Sequence, residues 1–369
     1  MNWEYMQPVE IHFGSGSRME IGRIAKERGY HKGLLVCGRH FAACGAEELM
    51  AASEGLLTDI FSDVSPNPEV SEVNLCAAKA RECGADFIAA VGGGSILDCA
   101  KAASGMAVIG DPVEKYLGTG VPVPQDHLPL IAVPTTSGTG SEVTCVSVLS
   151  DSATGRKAPI VSDSFYPVLA LVDPELTWSM PKSVTASSGI DALCHAIECY
   201  WSRRHQPISD ALALHACRLI FDYLPAACAD GADKEAREKM SEAALIAGLA
   251  FNLPKTTGCH ACSYPLTNEY HIPHGEACAL TLDYFCRLNR NERLDTFSRQ
   301  LGFRDADDLA DAIAALKKEI GLRTDLKEFH PTEEQLRALA KASQHPNMRN
   351  NPVDMSDEDL YKMYRFLSR

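Results

Sequence analysis

Four side chains in the second half of the chain are of types that bind a transition metal: Asp191, His195, His260 and His274. Asp191 and His195 lie in DALCHAIE, four residues apart. On a helix that spacing puts both on one face, within reach of one ion. His260 and His274 lie in GCHACSYPLTNEYHIPHG. Three imidazoles and a carboxylate make a nitrogen- and oxygen-rich set suited to Fe(II) or Zn(II). Four protein ligands could equally close a structural tetrahedral site. The first half of the chain argues for catalysis, because it carries a glycine run of the kind that cradles phosphate. A metal and a dinucleotide together point to redox chemistry at a carbonyl or carbinol carbon.

That run is Gly92-Gly93-Gly94-Ser95, between a strand signal over 86–91 and a helical ILDCAKAAS. Without Cβ atoms the backbone can approach a pyrophosphate, and the following helix N-terminus supplies amide donors and a positive dipole end. Ser95 and Asp98 form an S-x-x-D capping pattern at the helix start. The run is not GxGxxG, so taken alone a plain glycine-rich turn explains it as well. A second loop, PTTSGTGSEVT over 134–144, follows another strand and is dense in hydroxyls and glycines. Two such loops at neighbouring strand ends build one ligand crevice.

The elements that must position these groups change character along the chain. Short apolar runs read as strands at 33–38, 86–94, 128–136 and 167–174, with amphipathic segments such as VSEVNLCAAKAREC (70–83) between the earlier ones. Buried strands separated by helices imply a parallel sheet covered on both faces. From Pro181 onward Ala/Leu/Glu patterns recur at helical spacing and strand signals nearly vanish. The reading is an α/β dinucleotide-binding domain over 1–181 and an all-helical metal-binding domain over 182–369, with the cleft between them as the expected site.

Composition narrows the function. The chain has 369 residues, 46% apolar and 23% charged, which suits two globular domains. A net charge of −14 disfavours nucleic-acid or anionic-membrane partners. No run approaches about 18 uninterrupted apolar residues, so no membrane span is expected. The 14 cysteines without an apolar leader fit a reducing cytoplasm. The one CxxC, Cys259 to Cys262, brackets a better ligand, His260, and is a weak redox motif.

GGGSILDCAK, PTTSGTGSEVT, DPELTWSMPKSVTASSGIDALCHAIECYWS and HIPHG resemble the signature segments of the iron-containing (group III) alcohol dehydrogenases, in order along nearly the whole chain. The resemblance implies the iron alcohol dehydrogenase (dehydroquinate synthase-like) fold and NAD(P)-linked interconversion of aldehyde and alcohol. It also implies a homodimer. It matches Asp191, His195, His260 and His274 to the metal ligands, with Fe2+ expected and Zn2+ compatible. Gly93, Gly94 and Ser95 match the pyrophosphate loop, Thr135 and Thr136 the second cofactor loop, and Lys157 a lysine near the nicotinamide. The metal would act as a Lewis acid on the carbonyl oxygen while hydride reaches the carbon.

Three positions depart from the pattern. The family commonly carries a second histidine four residues after the third ligand; here it is Tyr264, read as a substrate contact able to donate a hydrogen bond. An Asp that would bond the ribose 2′-hydroxyl is replaced by Gly38, followed by Arg39, so NADP(H) is favoured. Lys255, Thr256 and Thr257 precede His260; if its helix starts there, free N–H groups, two hydroxyls and an ammonium would make an anion site. KTT, SYPLT and IPHG also look like the phosphonoacetaldehyde-reductase-like branch. The favoured substrate is therefore a two-carbon aldehyde ending in phosphonate or sulfonate. A short aliphatic alcohol or diol dehydrogenase is the alternative, and a dehydroquinate-synthase-like enzyme or a nucleotide-binding regulator a remoter one. Among the other histidines, His215 reads as a core residue, His271 as a supporter of His274, and His345, like His12, His31, His127, His205 and His330, as surface or packing.

Overall fold

The computed structural model describes residues 3–369, which divide into two compact units. One spans Met6–Thr136 and Gly140–Thr177; the other holds Trp178–Arg369, together with Ser137–Thr139 and the N-terminal segment ending at Tyr5. A single cut near residue 181 misses this interleaving: the chain changes unit at Thr177 and also for three residues inside the PTTSGTGSEVT loop.

The first unit is built on strands β1 (Glu10–Phe13), β2 (Gly33–Cys37), β3 (Leu57–Phe61), β4 (Phe87–Gly92), β5 (Leu130–Pro134), β6 (Val146–Asp151), β7 (Arg156–Val161) and β8 (Leu169–Val172). Six form one parallel sheet in the order β1-β8-β5-β4-β2-β3. Helices α1 (Ile21–Glu27), α2 (Arg39–Cys44), α3 (Ala46–Ala52), α4 (Val70–Glu82) and α5 (Gly94–Ile109) belong to this unit. Alternate residues of the central strands enter two separate cores. Leu35, Phe87, Ala89, Val91, Ile131 and Val133 pack on one face; Leu34, Val36, Ile88, Ala90, Leu130 and Ala132 pack on the other. Burial on both faces is what makes these strands read as continuous apolar runs. The edge strands β1 (EIHF) and β3 (LTDIF) are partly exposed and carry no such run, so the sequence reading passed over them. It also passed over the antiparallel β6–β7 hairpin, whose turn has Gly155 at a φ of 67°.

The second unit is helical: α6 (Lys182–Trp201), α7 (Pro207–Ala229), α8 (Lys234–Phe251), α9 (Gly258–Tyr270), α10 (His274–Leu280), α11 (Leu282–Leu288), α12 (Glu292–Gln300), α13 (Ala306–Glu319), α14 (Glu333–Ala342) and α15 (Asp357–Leu367). Its core joins Ile190, Leu193 and Ile197 of α6 to Ala213, Ile220 and Leu224 of α7 and Met240, Ala243 and Ala247 of α8. The alanines let these helices approach closely. Length and mean hydropathy alone would let α7 cross a membrane; its Ala213, Cys217, Ile220 and Leu224 are instead buried in this core.

Candidate metal centre and dinucleotide loop

In the α/β unit β2 and β4 are neighbours, while the chain leaves β2 toward β3 on the opposite side. This reversal of strand order opens a crevice at the strands' carboxyl ends. Gly38 follows β2, Gly93-Gly94-Ser95 follows β4, and Thr135 and Thr136 follow β5. The last two loops touch: Thr135 N–H donates to the Gly92 carbonyl at 3.0 Å, and a Cβ on Gly93 would stand 3.2 Å from Thr136 Cγ2. Gly93 is the N-cap of α5, so the first-turn amides of a 16-residue helix open beside it.

The capping pattern expected of Ser95 and Asp98 is absent. No side chain caps α5, because its N-cap is Gly93, two residues before Ser95. Ser95 Oγ instead accepts from Asn67 N–H at 3.3 Å. Asp98 turns away from the helix start: its carboxylate accepts from Ser141 Oγ at 2.7 Å and Val148 N–H at 2.9 Å. One turn on, the buried Lys101 ammonium donates to Ser141 Oγ, Thr144 Oγ1 and the Val146 carbonyl. Asp98 and Lys101 thus brace the segment from Ser141 to Val148 from α5. Lys157 Nζ donates to Asn67 Oδ1 at 2.8 Å, which links it to the Ser95 hydroxyl through one residue. Arg39 is exposed and pairs with Asp63 at 3.0 Å, so its charge is already matched by a carboxylate.

In the helical unit Asp191, His195 and Glu198 fall at positions i, i+4 and i+7 of α6 and are all buried. His260 stands in the first turn of α9, and His274 opens α10. His195 Nε2 and His260 Nε2 face each other at 3.0 Å, and Asp191 Oδ1 lies 3.5 Å from His260 Nε2. Gly275 permits this closeness: a Cβ there would sit 2.0 Å from the Ser187 carbonyl and 2.7 Å from Asp191 Cβ.

The hydrogen bonds around the imidazoles fix which nitrogen faces inward. His260 Nδ1–H donates to Glu198 Oε2, which turns Nε2 toward Asp191 and His195. Ser263 Oγ–H donates to the His260 carbonyl, so its oxygen accepts from His274 Nδ1 at 3.3 Å, which sets the orientation of the His274 ring. Phe251 stacks on the His195 ring at 4.1 Å. Burial would raise the Asp191 pKa, but His195, His274 and His260 draw it well below the usual carboxylate range. Burial pushes His195 down to about 4 against the pull of Asp191. Burial also works against charge on His260, yet Cys278, Glu198 and Asp191 hold its pKa well above the usual imidazole value. Asp191 Oδ1 is buried without a hydrogen bond. A buried carboxylate oxygen with no donor, facing imidazole nitrogens, fits a cation.

Glu198 is the functional residue the sequence reading missed. Its second oxygen, Oε1, accepts from the N–H groups of Thr257, Cys259 and His260 and from Thr257 Oγ1. This overturns part of the expected anion site. The first amides of α9 and the Thr257 hydroxyl already serve a resident carboxylate, and Thr256 Oγ1 accepts from Asn347 Nδ2. Lys255 precedes these residues with its backbone at a φ of 63°. Tyr264 lies one turn past His260, half-buried, with its phenol pushed up to about 12 by burial. The ring of His345 packs on it with centroids 4.6 Å apart. Two other histidines are corrected. His215 is exposed, 3.7 Å from Glu242, and His271 is an exposed left-handed residue closing α9.

Comparison with known proteins places both units. Residues 8–174 match the family model for iron-containing alcohol dehydrogenase, and residues 185–367 that for the C-terminal part of the Fe-containing alcohol dehydrogenase family. The structure is similar to a sulfoacetaldehyde reductase from Bifidobacterium kashiwanohense solved in complex with NAD+. That likeness has 53% identity over 100% of this chain and 99% of the other, with a TM-score of 0.98. A long-chain-alcohol dehydrogenase of Geobacillus thermodenitrificans is 38% identical over 97% of this chain and 94% of its own. A sulfoacetaldehyde reductase of Bilophila wadsworthia is 33% identical over 95% of each.

Proposed function

The chain belongs to the iron-containing alcohol dehydrogenase family and is an oxidoreductase, and we propose that it is a metal-dependent, nicotinamide-linked reductase of a small anionic aldehyde. Sulfoacetaldehyde is the leading substrate and phosphonoacetaldehyde its isostere. The carrying observation is the convergence of the Asp191, His195 and His260 donor atoms in a buried site, with an Asp191 oxygen that has no donor. The substrate class is supported by the similarity to the NAD+-bound sulfoacetaldehyde reductase.

An ion held by Asp191, His195, His260 and His274 would supply Lewis acidity toward the carbonyl oxygen, and the reduced dinucleotide the hydride. The chain's own residues do the rest. Glu198 and Ser263 hold His260 and His274 with Nε2 inward, and Phe251 fixes the plane of His195. Tyr264 keeps its proton across the neutral range, so it can donate a hydrogen bond to an oxygen gaining charge. Gly93, Gly94 and Ser95 take the pyrophosphate on the α5 amides, and Thr135 and Thr136 form the neighbouring wall. Arg39 was expected to favour NADP(H); its pairing with Asp63, and the NAD+ of the similar reductase, support NAD(H) instead. Lys157, tied to Asn67, belongs to the cofactor side.

Lys255 is the cation of the stretch that leads into α9, and it is assigned to the sulfonate on its charge and its place three residues before that helix. The test compares sulfoacetaldehyde with propanal in the parent and in Lys255→Ala. The parent should have the higher kcat/KM with the anionic aldehyde. The variant should lose roughly ten- to a hundredfold with it and little with propanal. Equal losses would favour the plain alcohol reading, which the similarity to the long-chain-alcohol dehydrogenase supports.

A further inference from the structure

Cys278 has no part in the chemistry described so far. It lies one helical turn after His274 on α10, so the two side chains share a face. Its thiol is fully buried, and Sγ stands 3.8 Å from His274 Nε2. One donor atom from each of Asp191, His260, His274 and Cys278 lie within 4.8 Å of one another. Two donors opposite each other across one ion, at ~2.1 Å for nitrogen or oxygen and ~2.3 Å for sulfur, are ~4.4 Å apart. The four atoms are therefore within the span that one ion bridges with small side-chain movements. The unpartnered Asp191 Oδ1 marks the same place independently.

We propose that Cys278 Sγ is a further ligand of the metal centre, joining Asp191, His195, His260 and His274 in a mixed carboxylate, imidazole and thiolate set. On binding, the thiol proton is released to water as the sulfur–metal bond forms, with no change of oxidation state. A thiolate shifts the preference of the site toward borderline-soft ions such as Zn(II) and Co(II) and away from Mn(II) and Mg(II). The proposal rests on the reading that these residues hold a metal.

The test is spectroscopic. Apoprotein is loaded with Co(II), and the near-ultraviolet sulfur-to-cobalt charge-transfer band is recorded beside the visible d–d bands, for the parent and for Cys278→Ala. The expected result is a charge-transfer band in the parent that Cys278→Ala loses while the d–d bands persist. Visible d–d bands without a charge-transfer band in the parent would overturn the proposal and leave the metal reading intact. A protein that takes up no Co(II) or Zn(II) would overturn both. X-ray absorption on the Zn(II)-loaded parent decides the point without a variant. A sulfur shell at ~2.3 Å supports ligation, and a first shell of nitrogen and oxygen alone at ~2.0–2.1 Å overturns it.

Discussion

Glu198 holds His260 twice: Oε2 accepts from the ring Nδ1–H, and Oε1 accepts from the backbone N–H. One buried carboxylate thus selects the imidazole tautomer and anchors the first turn of α9. The same oxygen also takes the Thr257 and Cys259 amides, so ring orientation and helix start cannot be changed separately.

Glu198→Gln keeps the volume but can set an amide N–H against the His260 N–H. Metal affinity should fall roughly ten- to a hundredfold, measured by competition with a chromophoric chelator. The parent should also bind metal more tightly as pH rises. His260 in the apoprotein holds a proton above its usual range, which the ion must displace, whereas His195, at about 4, has none to give near neutrality. Affinity independent of pH from 6 to 8 would contradict this protonation scheme.

Gly275→Ala tests the approach of α10 to α6. The new methyl would meet the Ser187 carbonyl, a backbone atom that cannot rotate aside. The expected cost is ~1–3 kcal/mol in thermal or denaturant unfolding. Metal content should fall with it, since His274 is the neighbouring residue. A variant with parental stability and a full complement of metal would show that the helices have slack at this point.

Much of the candidate metal centre follows helix periodicity and is visible in the sequence for that reason. Asp191 and His195 are four apart, and Glu198 continues the same stripe three residues later. Cys278, the further ligand proposed above, follows His274 by the same four-residue step, so it and Glu198 were both within reach of the pattern already in use. His345 was not, because it reaches Tyr264 from 81 positions further along the chain and no periodicity connects them. The central strands were legible because both faces are buried. The edge strands β1 and β3 were not, because half-exposed strands lack an apolar run. The α9 start misled for a physical reason: KTT before a helix does predict free amides, but only the fold reveals that Glu198 consumes them.

The proposed cofactor choice rests on Gly38, which is half-buried, and Arg39, which is exposed. A Cβ on Gly38 would lie 3.9 Å from Ile96 Cδ1, ordinary contact distance, so Gly38→Asp fits without displacing its neighbours. It should lower kcat/KM for NADPH relative to NADH by setting a carboxylate against the 2′-phosphate. Asp63→Ala frees Arg39 and should move the ratio the other way. If neither substitution moves the ratio, residues 38 and 39 do not face the adenosine ribose.

The most direct measurement of the central claim is the rate of NADH oxidation by sulfoacetaldehyde in one preparation carried through three states: as purified, stripped of metal, and reloaded with Fe(II) or Zn(II). The account predicts turnover that is lost on stripping, restored on reloading, and not restored in His260→Ala, with NADH binding to the α/β unit retained throughout. Full turnover in the stripped protein, or in His260→Ala, would contradict it.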